Sequence, residues 1–278
     1  MKKILMLTDF SEASHNALQF ARSFFGDTVA DFHLLCVHPA KPDDKLARVT
    51  SADQIHDVVT GLRREATTDW HTFRSSDRPG HPLEVVGQSV EAEVYDFVII
   101  GPQKADTNEL FGNSAIALVR RLKANVLVVP TDARPRPVRR VVLAADFANL
   151  KNCKLLSPVK ELVTLKGATL TLLTIDTPDK KAIHVDQEAH IRQFLKPIKP
   201  IIARLQAPTA KQGIDAYLAG HPVDLLVTIP QSKTDALTES RIARSRYTPP
   251  VPLLTLYDDG SNDLPQLIED LSNVDYAL

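Results

Sequence analysis

Apolar positions in the first half of the chain switch between two periods. Ile4 to Leu7 is wholly apolar and predicts a buried strand ending at Thr8-Asp9. Ser11 then suits a helix N-cap; Ala13, Ala17, Leu18, Ala21 and Phe25 form one helical stripe, and Gly26 stops it. Phe32 to Val37 predicts a second strand. After the polar loop Pro39 to Asp44, Ile55, Val58, Val59 and Leu62 predict a second helix. A weaker third strand is expected near Trp70 to Arg74, and a turn at Pro79-Gly80-His81-Pro82. Pro82 fits the first turn of a helix carrying Leu83, Val86, Val90 and Val94. Val98 to Ile100 is the fourth strand, Ser114 to Lys123 the following helix, and Val126 to Val129 the fifth strand. Strands separated by helices imply a doubly wound α/β domain: a five-stranded parallel sheet, covered on both faces, with right-handed crossovers.

The pattern then starts again. Thr131 to Pro137 holds two prolines and two arginines and no apolar run, as a linker does. Beyond it, Arg140-Val141-Val142-Leu143-Ala144-Ala145-Asp146-Phe147 repeats Lys3 to Phe10. Leu172 to Ile175 repeats Leu34 to Val37, and Asp224-Leu225-Leu226-Val227 repeats Asp96 to Ile99. Pro230-Gln231 echoes Pro102-Gln103, and Arg246 echoes Arg120. We expect one domain over residues 1–132, a linker over 133–139, a divergent copy over 140–257, and a tail over 258–278. In that tail Leu267, Ile268 and Leu271 share a helical face. The last strands of the two copies, Val126 to Val129 and Leu253 to Leu256, are expected to pair. Each then covers an apolar edge, making an intramolecular pseudo-dimer. Association of two whole chains into a homodimer stays open.

Bulk properties narrow the partners. The 278 residues are 44% hydrophobic and 24% charged, enough for ordinary globular cores, and the formal net charge is −1. That balance gives no electrostatic footing for nucleic acid or an anionic membrane. No apolar run reaches the ~18 residues that span a bilayer. Cys36 and Cys153 are far apart and lack metal spacing, so a reducing, cytoplasmic setting with buried thiols is expected. The nine histidines form no metal pair and are assigned to surfaces or loops. Trp70 is assigned to the core, and the arginines around the linker to a solvated hinge. No serine, histidine and aspartate stand at triad spacing, so Ser11 is read as a cap and not a nucleophile.

The candidate chemistry lies where Tyr95 to Ile100 delivers Gly101-Pro102-Gln103-Lys104, and where Phe111-Gly112-Asn113-Ser114 opens a helix. A buried strand leading through a glycine loop to a helix N-terminus is a usual anion site of α/β proteins. The other reading is that Gly101 and Gly112 only shape a tight loop. Asp9 likewise has two readings, a ligand contact or a carboxylate accepting from the free N–H groups of the helix after it.

Ile4 to Glu12 with Ala17-Leu18, and Asp96 to Gly101 through Phe111-Gly112 to Val126-Pro130, resemble the opening and the closing of a universal stress protein domain. The second half resembles it mainly at its strands, so the chain looks like a tandem member. The resemblance implies a Rossmann-like fold of the adenine nucleotide alpha hydrolase type. It also implies a non-enzymatic stress-response role, and ATP or another adenine nucleotide at the strand ends, with Mg²⁺ only alongside it. The family's phosphate motif is a glycine, two residues, a glycine, nine residues, then a glycine followed by serine or threonine. Gly101 fits the first position, Lys104 replaces the second glycine, and Gly112 fits the last with a loop two residues shorter. Asn113 stands where a hydroxyl is expected, with Ser114 after it. By the same resemblance Asp9 sits near the ribose or adenine and Val37 against the adenine ring, and Thr8 is counted with them as nucleotide-binding. Gln231-Ser232-Lys233-Thr234-Asp235 holds no glycine, so the second half is expected to bind no ATP, and Asp146 to act as a capping or loop-bonding carboxylate. The alternative is a nucleotide-free interaction scaffold with a degenerate pocket in both halves.

Overall fold

The wholly apolar Ile4–Leu7 run sits inside a sheet, fully buried from both faces. The computed structural model describes residues 1–38, 45–65, 70–102, 122–150, 152–178, 185–229 and 251–257. In the first half, strand β1 (Lys2–Thr8) leads to helix α1 (Glu12–Phe24) and β2 (Ala30–His38). Helix α2 (Lys45–Glu65), β3 (His71–Pro79), α3 (Pro82–Ala92), β4 (Phe97–Ile100) and β5 (Asn125–Val128) follow. The second half runs β6 (Arg140–Ala144), two short 3-10 turns, α4 (Ser157–Lys166), β7 (Thr169–Asp176), α5 (Val185–Leu195), β8 (Ile201–Gln206), α6 (Ala210–Gly220), β9 (Leu225–Thr228) and β10 (Leu253–Thr255).

These strands form one ten-stranded sheet in the order β3-β2-β1-β4-β5-β10-β9-β6-β7-β8. Each half contributes a parallel array with its first strand at the centre. The arrays join through β5 and β10, which pair antiparallel, Val126 with Thr255 and Val128 with Leu253. Strands buried on both faces read as continuous apolar runs, which is why β1, β4 and β9 are unambiguous in sequence. Side chains alternate between two cores. Ile4, Met6, Phe32 and Leu34 pack toward α1 and α2, in a layer that continues into the second half through Leu127, Val141 and Leu143. Leu5, Leu7, Leu35, Val98 and Ile100 pack toward α3 with Val85 and Val86.

The two halves share one bond at the starts of their central strands. The Lys3 amide donates to Asp96 Oδ2 at 2.8 Å, and the Arg140 amide to Asp224 Oδ2 at 2.9 Å. The return bonds match too, Asp96 N to Lys3 O at 2.9 Å and Asp224 N to Arg140 O at 3.0 Å. The aspartate before the fourth strand thus ties it to the first strand in both copies.

Several expectations are corrected. Trp70 is not core: it is 70% exposed, because it precedes β3 instead of lying in it, and the strand runs on to Pro79. Val94 lies beyond α3 and is 84% exposed. His33 and His71 are not at the surface; both are buried in strands. His33 is tolerated there because Nδ1 meets Tyr95 Oη at 2.5 Å and Nε2 meets Ser76 Oγ at 2.7 Å. The arginines by the linker are not simply solvated: Arg136 and Arg140 reach the buried Asp224 carboxylate at 3.3 and 3.0 Å. Val138, within that linker, is buried. Cys153 is buried as expected, but in a 3-10 turn. The Pro39 to Asp44 loop, His184, Pro230-Gln231, Arg246 and the stretch Leu264 to Leu271 lie outside the described residues, as do residues 114–121 of the expected fourth helix; Leu122 and Lys123, its expected end, are not helical.

Candidate functional site

In an open parallel sheet the ligand crevice opens at the carboxyl ends of strands, where neighbouring strands connect in opposite directions. In the first half that point lies between β1 and β4, since β1 feeds β2 on one side while β4 pairs on the other. The residues leaving these strands are Thr8-Asp9 and Gly101, with Val37 at the end of β2 next along. The structure therefore places four of the expected site residues around one switch point. Lys104, Gly112, Asn113 and Ser114 lie outside the described residues.

The β1–α1 turn is built from short side chains bonding to backbone. Phe10 adopts φ +61°, the sole non-glycine residue with positive φ among the described residues. Such a conformation costs roughly 1–3 kcal/mol and has to be held by its surroundings. Thr8 Oγ1 accepts from the Phe10 amide at 3.2 Å and lies 3.3 Å from Ser14 Oγ. Asp9 Oδ1 accepts from the Ser11 amide at 3.0 Å. Ser11 caps α1 by accepting from the Ser14 amide at 3.2 Å. The turn brings the N-terminus of α1 directly over the switch point.

Gly101 has a packing reason to be glycine. A Cβ there would stand 2.3 Å from the Ala13 carbonyl oxygen and 2.9 Å from Ala17 Cβ, so β4 runs against α1 with no room for a side chain. The glycine that the motif assigns to phosphate approach is already required by the helix.

Sequence reasoning missed a polar corner beside this turn. Thr8, Cys36 and Asp77 stand in register across β1, β2 and β3. His38 Nε2 lies 3.3 Å from Asp77 Oδ2, both largely buried. Burial pushes the Cys36 thiol up to about 12, and the Asp77 and Asp9 carboxylates push it the same way. Cys36 is therefore a neutral thiol with no nucleophilic character at ordinary pH. The signal was obscured because Asp77 lies past the predicted end of the third strand. Two carboxylates in one corner suit hydroxyl or N–H donors and repel phosphate.

The corresponding point of the second half lies between β6 and β9 and is built differently. Asp146 stands at the start of the first 3-10 turn without a side-chain capping bond to it, which leaves the loop-bonding reading of this carboxylate. The chain takes 3-10 turns at Phe147–Asn149 and Cys153–Leu156 before α4 starts at Ser157. Ile229 stands in place of Gly101 and packs partly buried against the core. No α-helix follows β6 directly among the described residues.

Among the described residues, no group of three or more His, Cys, Asp or Glu is arranged to hold a metal, and no helix is long and apolar enough to cross a membrane.

Residues 1–130 match the model of the universal stress protein family. The chain is similar to the crystal structure of a universal stress protein from Archaeoglobus fulgidus DSM 4304, with TM-score 0.68 and 18% identity, over 91% of this chain and 97% of that one. It is also similar to the functionally unknown protein PA1789 from Pseudomonas aeruginosa PAO1, with TM-score 0.63 and 16% identity, over 94% of each chain. At these identities the likeness establishes the fold. A universal stress protein family protein from Arabidopsis thaliana with AMP bound is 18% identical over 48% of this chain and 94% of its own, at TM-score 0.35, too distant for its ligand to bear on this chain. No curated protein matches the chain in sequence.

Proposed function

Residues 1–130 belong to the universal stress protein family, and from that premise we propose that the chain is a non-enzymatic, cytoplasmic stress-response protein holding one adenine nucleotide in its first half. The observation that carries this reading is the strained β1–α1 turn, with Phe10 at φ +61° above the switch point. A left-handed phenylalanine is costly, and strain of this kind clusters at ligand sites. The nucleoside end would meet Thr8, Asp9 and Val37. There the carboxylates of Asp9 and Asp77 fit hydroxyl or N–H donors. The phosphates, with any Mg²⁺ they carry, would point away from those carboxylates, past Gly101 toward Lys104, Gly112, Asn113 and Ser114. Lys104 would serve as a point charge for phosphate where the motif has a glycine. The second half, over residues 140–257, would serve as structural partner and bind no nucleotide.

A scaffold without nucleotide is favoured by a different observation. Gly101 is accounted for by its 2.3 Å approach to Ala13, and the Thr8 and Asp9 side chains already bond within the turn. A thermal melt with ATP and Mg²⁺ separates the two. At a ligand concentration a hundredfold above Kd the stability gain is about 2.7 kcal/mol. Gly112→Val should remove the gain, because its Cβ fills the space a phosphate needs. No shift at millimolar ATP would leave the scaffold reading.

A further inference from the structure

Exposed large apolar side chains are concentrated at one edge of the sheet. Met1 is 75% exposed, Val29 46% and Trp70 70%, and each immediately precedes a strand: β1, β2 and β3. They stand in register, because the pairing of Lys2 with Ala30 and of Ala30 with His71 extends outward by one residue. The Lys2 amide donates to Val29 O at 2.8 Å and the Ala30 amide to Trp70 O at 3.0 Å, which holds the row in place. Leu165 of α4, 48% exposed, borders it: one turn before it Glu161 bonds Lys2 Nζ at 2.7 Å, and Lys166 next to it bonds Asp27 at 2.8 Å. Val94, leading toward β4, lies at the same edge. Of the exposed large apolar residues described, Ile201 alone lies elsewhere. Single exposed apolar residues are ordinary, but a contiguous row signals contact with something.

The chain leaves the sheet at this same edge. β10 runs antiparallel to β5, so its end lies beside the start of β5; the Tyr257 amide donates to Asn125 Oδ1 at 3.0 Å. Asn125 in turn donates to Asp96 O at 3.0 Å, next to Lys3. Tyr257, the last residue described before the 258–278 segment, therefore lies level with Asp96 and Lys3. Three strand spacings separate β10 from β1, about 14 Å, and two more reach β3, about 24 Å. Seven residues from Tyr257 to Leu264 span up to ~24 Å, so Leu264 can stand over Met1. From there Leu264, Leu267, Ile268 and Leu271 repeat at i, i+3, i+4 and i+7, the spacing of a one-sided apolar helix. Asp263 and Pro265 are good helix openers. Eight helical residues cover ~12 Å, about the distance from Met1 to Trp70 across β2. Asp258, Asp259, Asp263, Glu269, Asp270 and Asp275, with no basic residue in the segment, would keep its outer face in water.

We propose that the C-terminal segment 258–278 docks its Leu264–Leu271 apolar face onto the Met1–Val29–Trp70 row of its own chain, capping the N-terminal edge of the first half. The tail has the reach, the spacing and the starting point for that row.

Trp70 is the single tryptophan of the chain, so its fluorescence reports this contact alone. The full chain is compared with its Leu267→Asp/Ile268→Asp variant, whose changes lie outside the ten described strands. We expect the variant's emission to shift to longer wavelength and its acrylamide quenching to rise, by the same amount at every protein concentration. A chain truncated after Tyr257 should behave like the variant, and a synthetic 258–278 peptide added to it should restore the parent spectrum. Identical spectra and quenching for parent and variant would overturn the proposal. So would a peptide with no effect, or shielding of Trp70 that grows with protein concentration, which would assign the row to a second copy.

Discussion

At the start of β1 and of β6 the two halves carry the same bond, Lys3 amide to Asp96 and Arg140 amide to Asp224, at 2.8 and 2.9 Å. At the ends of those strands they differ. β1 turns through a left-handed Phe10 straight into α1, whereas β6 passes through two 3-10 turns before α4 begins. Aligning the first strand with the fourth is a need of the fold itself, so both copies keep the aspartate. A helix N-terminus at the switch point is where an α/β protein can hold an anion, and among the described residues only the first copy brings an α-helix there. The close approach of Gly101 to Ala13 follows from that helix, and Ile229 is accommodated where the helix starts later.

This contrast can be tested by substitution. Gly101→Val drives a Cβ into the Ala13 carbonyl and should destabilise by about 3 kcal/mol or more, whereas Ile229→Val should cost about 1 kcal/mol, both measured by urea unfolding. A tolerated Gly101→Val would mean that the helix is not pinned against β4.

Next in size is the shared aspartate. Burial pushes the Asp224 carboxyl up, but the Arg140 guanidinium and the Arg139 and Arg140 amides outweigh it and hold the pKa below the usual carboxylate value. Its side chain is 3% exposed, against 40% for Asp96. Asp224→Ala strands several donors beside a buried gap and should cost about 3 kcal/mol. Asp96→Ala should cost about 1 kcal/mol, because water can replace the lost acceptor. Equal costs would contradict the difference in burial.

A smaller effect separates the halves by pH. Burial lowers the His33 pKa to about 4, and the nearby Arg74 lowers it further against Glu93 and Asp31. The folded state therefore binds fewer protons than the unfolded state between pH 4 and the unperturbed value near 6.5. Stability from this group is complete above ~6.5 and is lost as pH falls toward 4, by about 2 to 3 kcal/mol. Glu93 is held down to about 2; burial opposes this, but bonds from Arg74, Lys3 and Tyr95 prevail, so it extends the same acid loss to lower pH. In His33→Gln the slope of stability between pH 4 and 6.5 should flatten, as read by unfolding at a series of pH values. An unchanged slope would place the acid sensitivity elsewhere.

The sequence showed the strands best where both faces are covered: Ile4 to Leu7, Val98 to Ile100 and Leu225 to Val227 admit no other reading. The repeat was legible because it is written in those strands, and the antiparallel meeting of β5 and β10 follows from two apolar edges with no other cover. Trp70 was misread because hydrophobicity alone does not separate a core position from an overhang one residue before a strand. His33 was misread because a single polar residue between Phe32 and Leu34 looked like a surface position; its partners Tyr95 and Ser76 are remote in sequence. Gly101 was noticed for its motif, yet its tightest neighbours, Ala13 and Ala17, lie on a helix that spacing alone cannot bring close. The Cys36–Asp77–His38 corner was hidden because strand length is poorly marked where polar residues continue a ladder.

The most direct measurement is native mass spectrometry of the freshly purified full chain with added ATP, beside Gly112→Val and Asp146→Asn. An asymmetric pair of halves predicts one adenine nucleotide per chain, lost in Gly112→Val and kept in Asp146→Asn. Two nucleotides per chain, or one that survives Gly112→Val and disappears with Asp146→Asn, would contradict it.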